Sequence, residues 1–188
     1  MKVLKFGGTS VANAKSLINV IDIITQSKDQ VVVVVVSALG GITNLLVEMS
    51  ERASMRQNNY KEHLETLENR HLNPIEYFIP LTHQSEIISF LKSQLNELEE
   101  VVESLFTLNE LTSKSLAKIL SYGEILSSTI IYNILKYKAC DAVLKDSREL
   151  IFTYSIKLSF SSPSPMIKKR SFLFVLFNTS LITSIKKR

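Results

Sequence analysis

Two kinds of apolar run alternate along the chain. Val3 to Phe6 and Val31 to Val36 are short and rich in β-branched residues, the second being six valines in a row, and neither alternates with polar positions. Runs of this kind predict strands buried on both faces, as in a parallel sheet covered by helices. Between them, Ala14, Leu17, Ile18, Ile21, Ile23 and Ile24 recur at roughly helical spacing. The unit therefore reads strand, helix, strand, with a right-handed crossover.

Beyond the second run the pattern is helical for a long way. Leu45, Leu46 and Met49 form one apolar stripe. From Tyr60 to Tyr77, Leu64, Leu67 and Leu72 mix with Glu62, Glu65 and Glu68, which predicts a solvent-facing helix that ends near Pro74 or Pro80. From Ser85 onward, Ile88, Leu91, Leu95, Leu98, Val102, Leu105 and Phe106 recur at three and four, and Glu97, Glu99, Glu100 and Glu103 belong mostly to a solvated face. A further helix is predicted from about Ser113 to Lys138 with Thr112 as its N-cap, followed by a third short strand over Ala142, Val143 and Leu144. The alternation predicts a three-layer α/β fold with a mostly parallel sheet covered by helices.

Composition adds a boundary. The 188 residues are 45% hydrophobic and 21% charged, which fits one globular domain and excludes wholesale disorder. The formal net charge of +4 suggests nucleic acid until it is divided along the chain. Residues 1–150 hold 15 Lys and Arg against 18 Asp and Glu, whereas residues 151–188 hold seven Lys and Arg and no acid. The basicity is thus a property of the last segment, and no nucleic-acid face is expected. All five glycines lie before residue 124, and the last segment contains neither Gly nor Ala. A single cysteine, Cys140, excludes an internal disulfide and any cysteine-built metal site. Three scattered histidines add no ligand spacing, so no bound metal is expected. The start of the sequence, Met1-Lys2-Val3-Leu4-Lys5-Phe6, has no apolar signal-peptide core, and a cytoplasmic location is expected. Ser171 to Ile185 is uncharged but short for a bilayer and carries Asn178, Thr179, Ser180, Thr183 and Ser184 in its interior, so no membrane span is expected there.

The chemistry concentrates at glycines. Lys5-Phe6-Gly7-Gly8-Thr9-Ser10 closes a strand and opens a helix. Glycines let backbone N–H groups approach an anion, the helix N-terminus adds partial positive charge, and Lys5 adds a full one. This is either a phosphate cradle or a tight strand-to-helix turn; it is not a Walker A loop, because the lysine precedes the glycines. Ser37-Ala38-Leu39-Gly40-Gly41-Ile42-Thr43-Asn44 repeats the context after the second strand. Two loops at the carboxyl edge of parallel strands converge on one site, although Thr43 and Asn44 also suit simple helix capping. Gly123 falls inside a predicted helix, where it costs about 1 kcal/mol relative to Ala, so something is expected to approach the backbone there. Its neighbour Glu124, with Leu120, Ser121 and Ser128 a turn away, is either an acceptor for a ligand's ammonium group or a surface carboxylate.

Lys5-Phe6-Gly7-Gly8-Thr9-Ser10-Val11, Ser37-Ala38 with Gly41-Ile42-Thr43-Asn44, and Ser121-Tyr122-Gly123-Glu124 stand in the order and approximate spacing of three motifs of the aspartate kinases. Residues 1–153 resemble that family, part of the amino-acid kinase superfamily, and look most like the kinase half of bifunctional aspartokinase/homoserine dehydrogenases, with a helical insert between the second and third motifs. The resemblance implies the N-terminal part of an amino-acid kinase fold. It also implies ATP-dependent phosphorylation of the L-aspartate β-carboxylate to 4-phospho-L-aspartate, on the route to lysine, threonine and methionine. By resemblance Lys5 neutralises phosphate charge, Gly7, Gly8 and Ser10 line the phosphate loop, Ser37 and Thr43 hold aspartate, and Glu124 receives its ammonium group. Mg²⁺ travels with ATP, and intact family members are homo-oligomers.

The chain also departs from the family. No Gly-Arg-Gly-Gly-Ser-Asp-like loop or Thr-Asp-Val-Asp-Gly-like segment follows the third strand, and no regulatory or dehydrogenase domain is present. Residues 154–188 resemble nothing in the family, and their composition suggests out-of-frame translation or a disordered tail. A natural basic tail at a membrane surface is the competing reading. On this reading the chain is a truncated kinase part without activity of its own, or a non-catalytic module that binds aspartate or a phosphate-bearing ligand.

Overall fold

The computed structural model of the chain describes residues 2–27, 32–146, 151–154, 157–160 and 172–175. In order, the elements are β1 (Lys2–Phe6), α1 (Ala14–Gln26), β2 (Val32–Val36), α2 (Ile42–Ser54), α3 (Tyr60–Phe78), a 3₁₀ turn at Leu81–His83, α4 (Ser85–Leu108) and α5 (Ser113–Tyr137). Then come β3 (Ala142–Lys145), β4 (Ile151–Tyr154), β5 (Lys157–Phe160) and β6 (Phe172–Val175). Four strands form a parallel sheet in the order β1-β2-β6-β3, and β4 pairs antiparallel with β5. The fold is a helix-rich α/β arrangement around a short parallel sheet, as the alternating apolar runs predict. Val31, the expected start of β2, and most of the Ser171–Ile185 stretch lie outside the described residues. Among the described residues no helix is long and apolar enough to cross a membrane.

β2 is nearly all buried, which explains why its five valines need no polar alternation. β1 departs from the expectation of a strand covered on both faces. It is the edge of the sheet, Val3 is 60% exposed, and Phe6 alone of its five residues is buried. β6, drawn from the basic segment, stands between β2 and β3, with Val32 opposite Phe172 and Ala142 opposite the same residue on the other side.

Local chemistry sets the helix starts. Asn13 caps α1 by accepting the Ser16 amide at 3.0 Å, while the Ser16 hydroxyl accepts the Asn13 amide at 3.1 Å. Thr112 and Ser115 repeat this reciprocal pairing at the start of α5, as its sequence predicts. Of the two prolines expected to end α3, Pro80 marks the end: Pro74 lies inside the helix, which continues to Phe78 with Ile79, the residue before Pro80, as its C-cap. Proline removes one N–H from the helical ladder and crowds the carbonyl four residues earlier, at a cost of about 3 kcal/mol. Burial of Pro74, Ile75 and Ile79 against the core offsets that cost. α3 also buries Tyr60, Leu67 and His71, so the helix faces solvent only on its Glu62 and Glu65 side. One apolar cluster joins Leu17 and Ile21 of α1, Val34 of β2, Leu46 and Met49 of α2, Leu67 of α3, Leu98 of α4 and Ile131 of α5.

Candidate functional site

β1 and β2 run parallel and end side by side, so the segments that follow them meet. The Ser37 amide donates to the Phe6 carbonyl at 3.1 Å, which fixes the two strand ends. The first segment then turns tightly, the Ser10 amide donating to Gly7 O at 2.9 Å. The second turns at Gly41, whose φ of 80° lies in the left-handed region that a β-carbon disfavours. Gly41 is also the N-cap of α2 and makes no side-chain cap. Thr43 and Asn44 therefore do not cap: both side chains are exposed, and among the described residues their first-turn amides have no backbone acceptor. Such amides, at the positive end of the helix dipole, suit an anion.

The two glycine segments are in contact. A β-carbon at Gly8 would lie 3.3 Å from Ala38 O, and one at Gly40 would lie 2.9 Å from Gly8 O and 2.8 Å from Ala12 Cβ. α5 closes the arrangement from another side. A β-carbon at Gly123 would lie 2.9 Å from Ala38 Cβ and 3.3 Å from Ile42 Cγ2, so the close approach expected at this glycine is made by the second segment and α2. One turn on, the Ser127 hydroxyl donates to Ser37 O at 2.8 Å.

The structure thus gathers Gly7, Gly8, Ser37 and the Gly123–Glu124 pair around the ends of β1 and β2. Lys5, the residue before the last of the edge strand, is exposed, as is Ser10. Ser37 is half-buried with its backbone used on both sides, and Thr43 stands exposed at the start of α2.

Glu124 is not a surface carboxylate. It is 6% exposed, its Oε2 is buried without a hydrogen-bond partner, and burial raises its pKa to about 7. The Ser128 hydroxyl donates to its backbone carbonyl at 2.8 Å, and the single Ser127 proton is shared between Ser37 O and that carbonyl at 3.2 Å, so neither serves the carboxylate. A buried carboxylate held partly neutral at physiological pH, with a vacant oxygen, is chemically ready for a cationic donor.

Sequence reasoning missed Arg70 of α3, whose Nη2 donates to Gly40 O and lies 3.4 Å from Ala12 O. It is the one Lys or Arg between Lys61 and Lys92, a signal too weak to separate it from a solvated helix face. Ser127 was missed as well, because a serine on an apolar helix carries no mark of its partner. Among the described residues no cluster of three or more His, Cys, Asp or Glu side chains could hold a metal ion.

The sequence profile of the amino acid kinase family matches residues 1–170. A bifunctional aspartokinase/homoserine dehydrogenase of Buchnera aphidicola is 36% identical over 143 residues, which cover 73% of this chain and 17% of that protein. An aspartokinase of Chlamydia pneumoniae is 32% identical over 151 residues, 80% of this chain and 31% of that protein. Among solved structures, E. coli aspartokinase III in complex with aspartate and ADP superposes with a TM-score of 0.78 at 22% identity, over 93% of this chain and 40% of that one. The chain therefore spans less than a third of the length of these two curated relatives.

Proposed function

The chain belongs to the amino acid kinase family, and on that ground we propose that it is the N-terminal part of an aspartate kinase, joined in the intact protein to a homoserine dehydrogenase. The proposed reaction is ATP-dependent phosphorylation of L-aspartate to 4-phospho-L-aspartate in lysine, threonine and methionine biosynthesis, in the cytoplasm. A β-carboxylate oxygen of aspartate attacks the γ-phosphorus of ATP. The bond from that phosphorus to the β,γ-bridging oxygen breaks, and ADP leaves with the electron pair. Catalysis of such a transfer is mostly positioning and charge stabilisation, which is what strand-end loops supply. Gly7, Gly8 and Ser10 line the phosphates, Lys5 offsets their charge, and Mg²⁺ bound to the nucleotide spreads the rest. Ser37 and Thr43 hold aspartate.

Glu124 carries this reading. A substrate ammonium group would supply the partner that Oε2 lacks and restore the ionised carboxylate. Aspartate binding near pH 6 is therefore expected to release up to one proton, since free Glu124 is then mostly protonated. Calorimetric titration with L-aspartate in buffers of different ionisation enthalpy measures it. Heat independent of buffer, or affinity undiminished in Glu124→Gln, would overturn the assignment.

Residues 1–188 hold neither of the two segments that complete the nucleotide pocket by family resemblance, so the chain on its own is expected to bind without turnover. That behaviour is also the second reading, a non-catalytic module for aspartate or a phosphate-bearing ligand, and the same residues favour it. An ADP-forming assay with aspartate and Mg·ATP separates the cases. Turnover that vanishes in Lys5→Ala would show that the missing segments are dispensable.

A further inference from the structure

Arg70 belongs to none of the three motifs, yet it reaches all the way to the strand-end segments. The two N–H groups of its Nη2 meet two carbonyls from separate parts of the chain, Gly40 O in the second glycine segment and Ala12 O at the close of the first. Its Nη1 lies on the same side, 3.2 Å from where a β-carbon on Gly41 would be. Beneath it the segments are pressed together at Gly8, Ala12 and Gly40 with no room for another carbon.

We propose that Arg70 is a positioning residue: it clamps the first glycine segment to the second, so that phosphate-binding amides and aspartate-binding residues keep one fixed separation. The inference rests on the function proposed above. Arginine suits the task because its planar fork offers fixed, always charged donors, whereas a lysine ammonium is a flexible point donor that holds two carbonyls less rigidly. The clamp ties α3, part of the helical insert, to a site whose other residues come from the strand ends, the start of α2 and α5. It gives the insert a role in the geometry of transfer, where small displacements of the reacting groups are expensive in rate.

The test compares the 188-residue chain with its Arg70→Gln and Arg70→Lys variants by amide hydrogen exchange and by titration with Mg·ADP. Arg70→Gln is expected to speed exchange of the hydrogen-bonded amides of Ser10, Ile42 and Leu45 by roughly tenfold, the loss of a charged hydrogen bond, with a smaller change in α5. Mg·ADP affinity is expected to fall by a similar factor, with Arg70→Lys recovering part of both effects. Unchanged loop exchange would overturn the clamp. So would faster exchange spread equally over α5, since that is general loosening. Failure of the wild-type chain to bind Mg·ADP would count against the proposed function, and the loop exchange would still decide the clamp.

Discussion

Two buried titratable side chains make opposite demands on the fold. Glu124, with its pKa raised to about 7, binds more proton folded than unfolded, so stability falls as pH rises from about 4.5 to 7. His71 is fully buried; desolvation lowers its pKa to about 4, its Nδ1 meets Leu67 O at 2.7 Å, and its Nε2 has no partner. The unfolded chain then binds the extra proton, and stability is lost as pH falls from about 6.5 to 4. Where the windows overlap, the slopes cancel and the wild-type chain is expected to be nearly indifferent to pH. Glu124→Gln should unmask stability that climbs with pH, and His71→Gln stability that declines, each by up to about 1.4 kcal/mol per pH unit. Urea midpoints across pH 4.5 to 6.5 would show it, and parallel curves for the two variants would contradict it. At this scale sequence identifies residues by type and spacing alone. The glycine pairs and Glu124 stand out that way, but the burial of Glu124 does not, since one carboxylate on an apolar helix reads as surface until its neighbours are placed. Arg70 is illegible for the complementary reason: its partners are backbone carbonyls, which leave no trace in side-chain identity.

Among the elements, α5 is the one whose surface is most constrained. Gly123 weakens a helix by about 1 kcal/mol, so Gly123→Ala in isolation would stabilise it. Here the added methyl meets Ala38 Cβ at 2.9 Å and also crowds Ile42 and Leu46, and Ala38 is fixed to a rigid turn. Overpacking of that kind costs about 1 to 3 kcal/mol, so the net change is expected to be destabilising, together with weaker ligand binding. A variant that melts higher than wild type would show that the loop moves aside freely. The helix start at Thr112 is readable because capping is a local exchange of hydrogen bonds between residues three apart. The end of α3 is readable only as a choice between Pro74 and Pro80; Pro74 does not stop the helix because the penalty there is local while the burial that outweighs it comes from distant packing.

For the whole molecule, the sheet order is the least legible feature. Periodicity reveals strands but not which strand stands beside which, and nothing in residues 154–188 announces that Phe172–Val175 separates β2 from β3. The family profile likewise reaches residue 170, past residue 153, where the motif resemblance ends. Removal of residues 154–188 is expected to lower the thermal midpoint and promote aggregation, since β2 and β3 would each lose a parallel neighbour and expose an edge. An unchanged midpoint would mark the segment as an appendage. The hydrogen bond from Ser127 to Ser37 O carries a further consequence, for time rather than space. The glycine segments leave the ribosome early, but the helix that backs them must be synthesised past Ser127, midway along α5, before it can support them. Contacts of such long sequence separation form late and slowly. A nascent chain halted before α5 would hold both glycine segments yet lack their support, so competence to bind should switch on abruptly with chain length rather than grow with it.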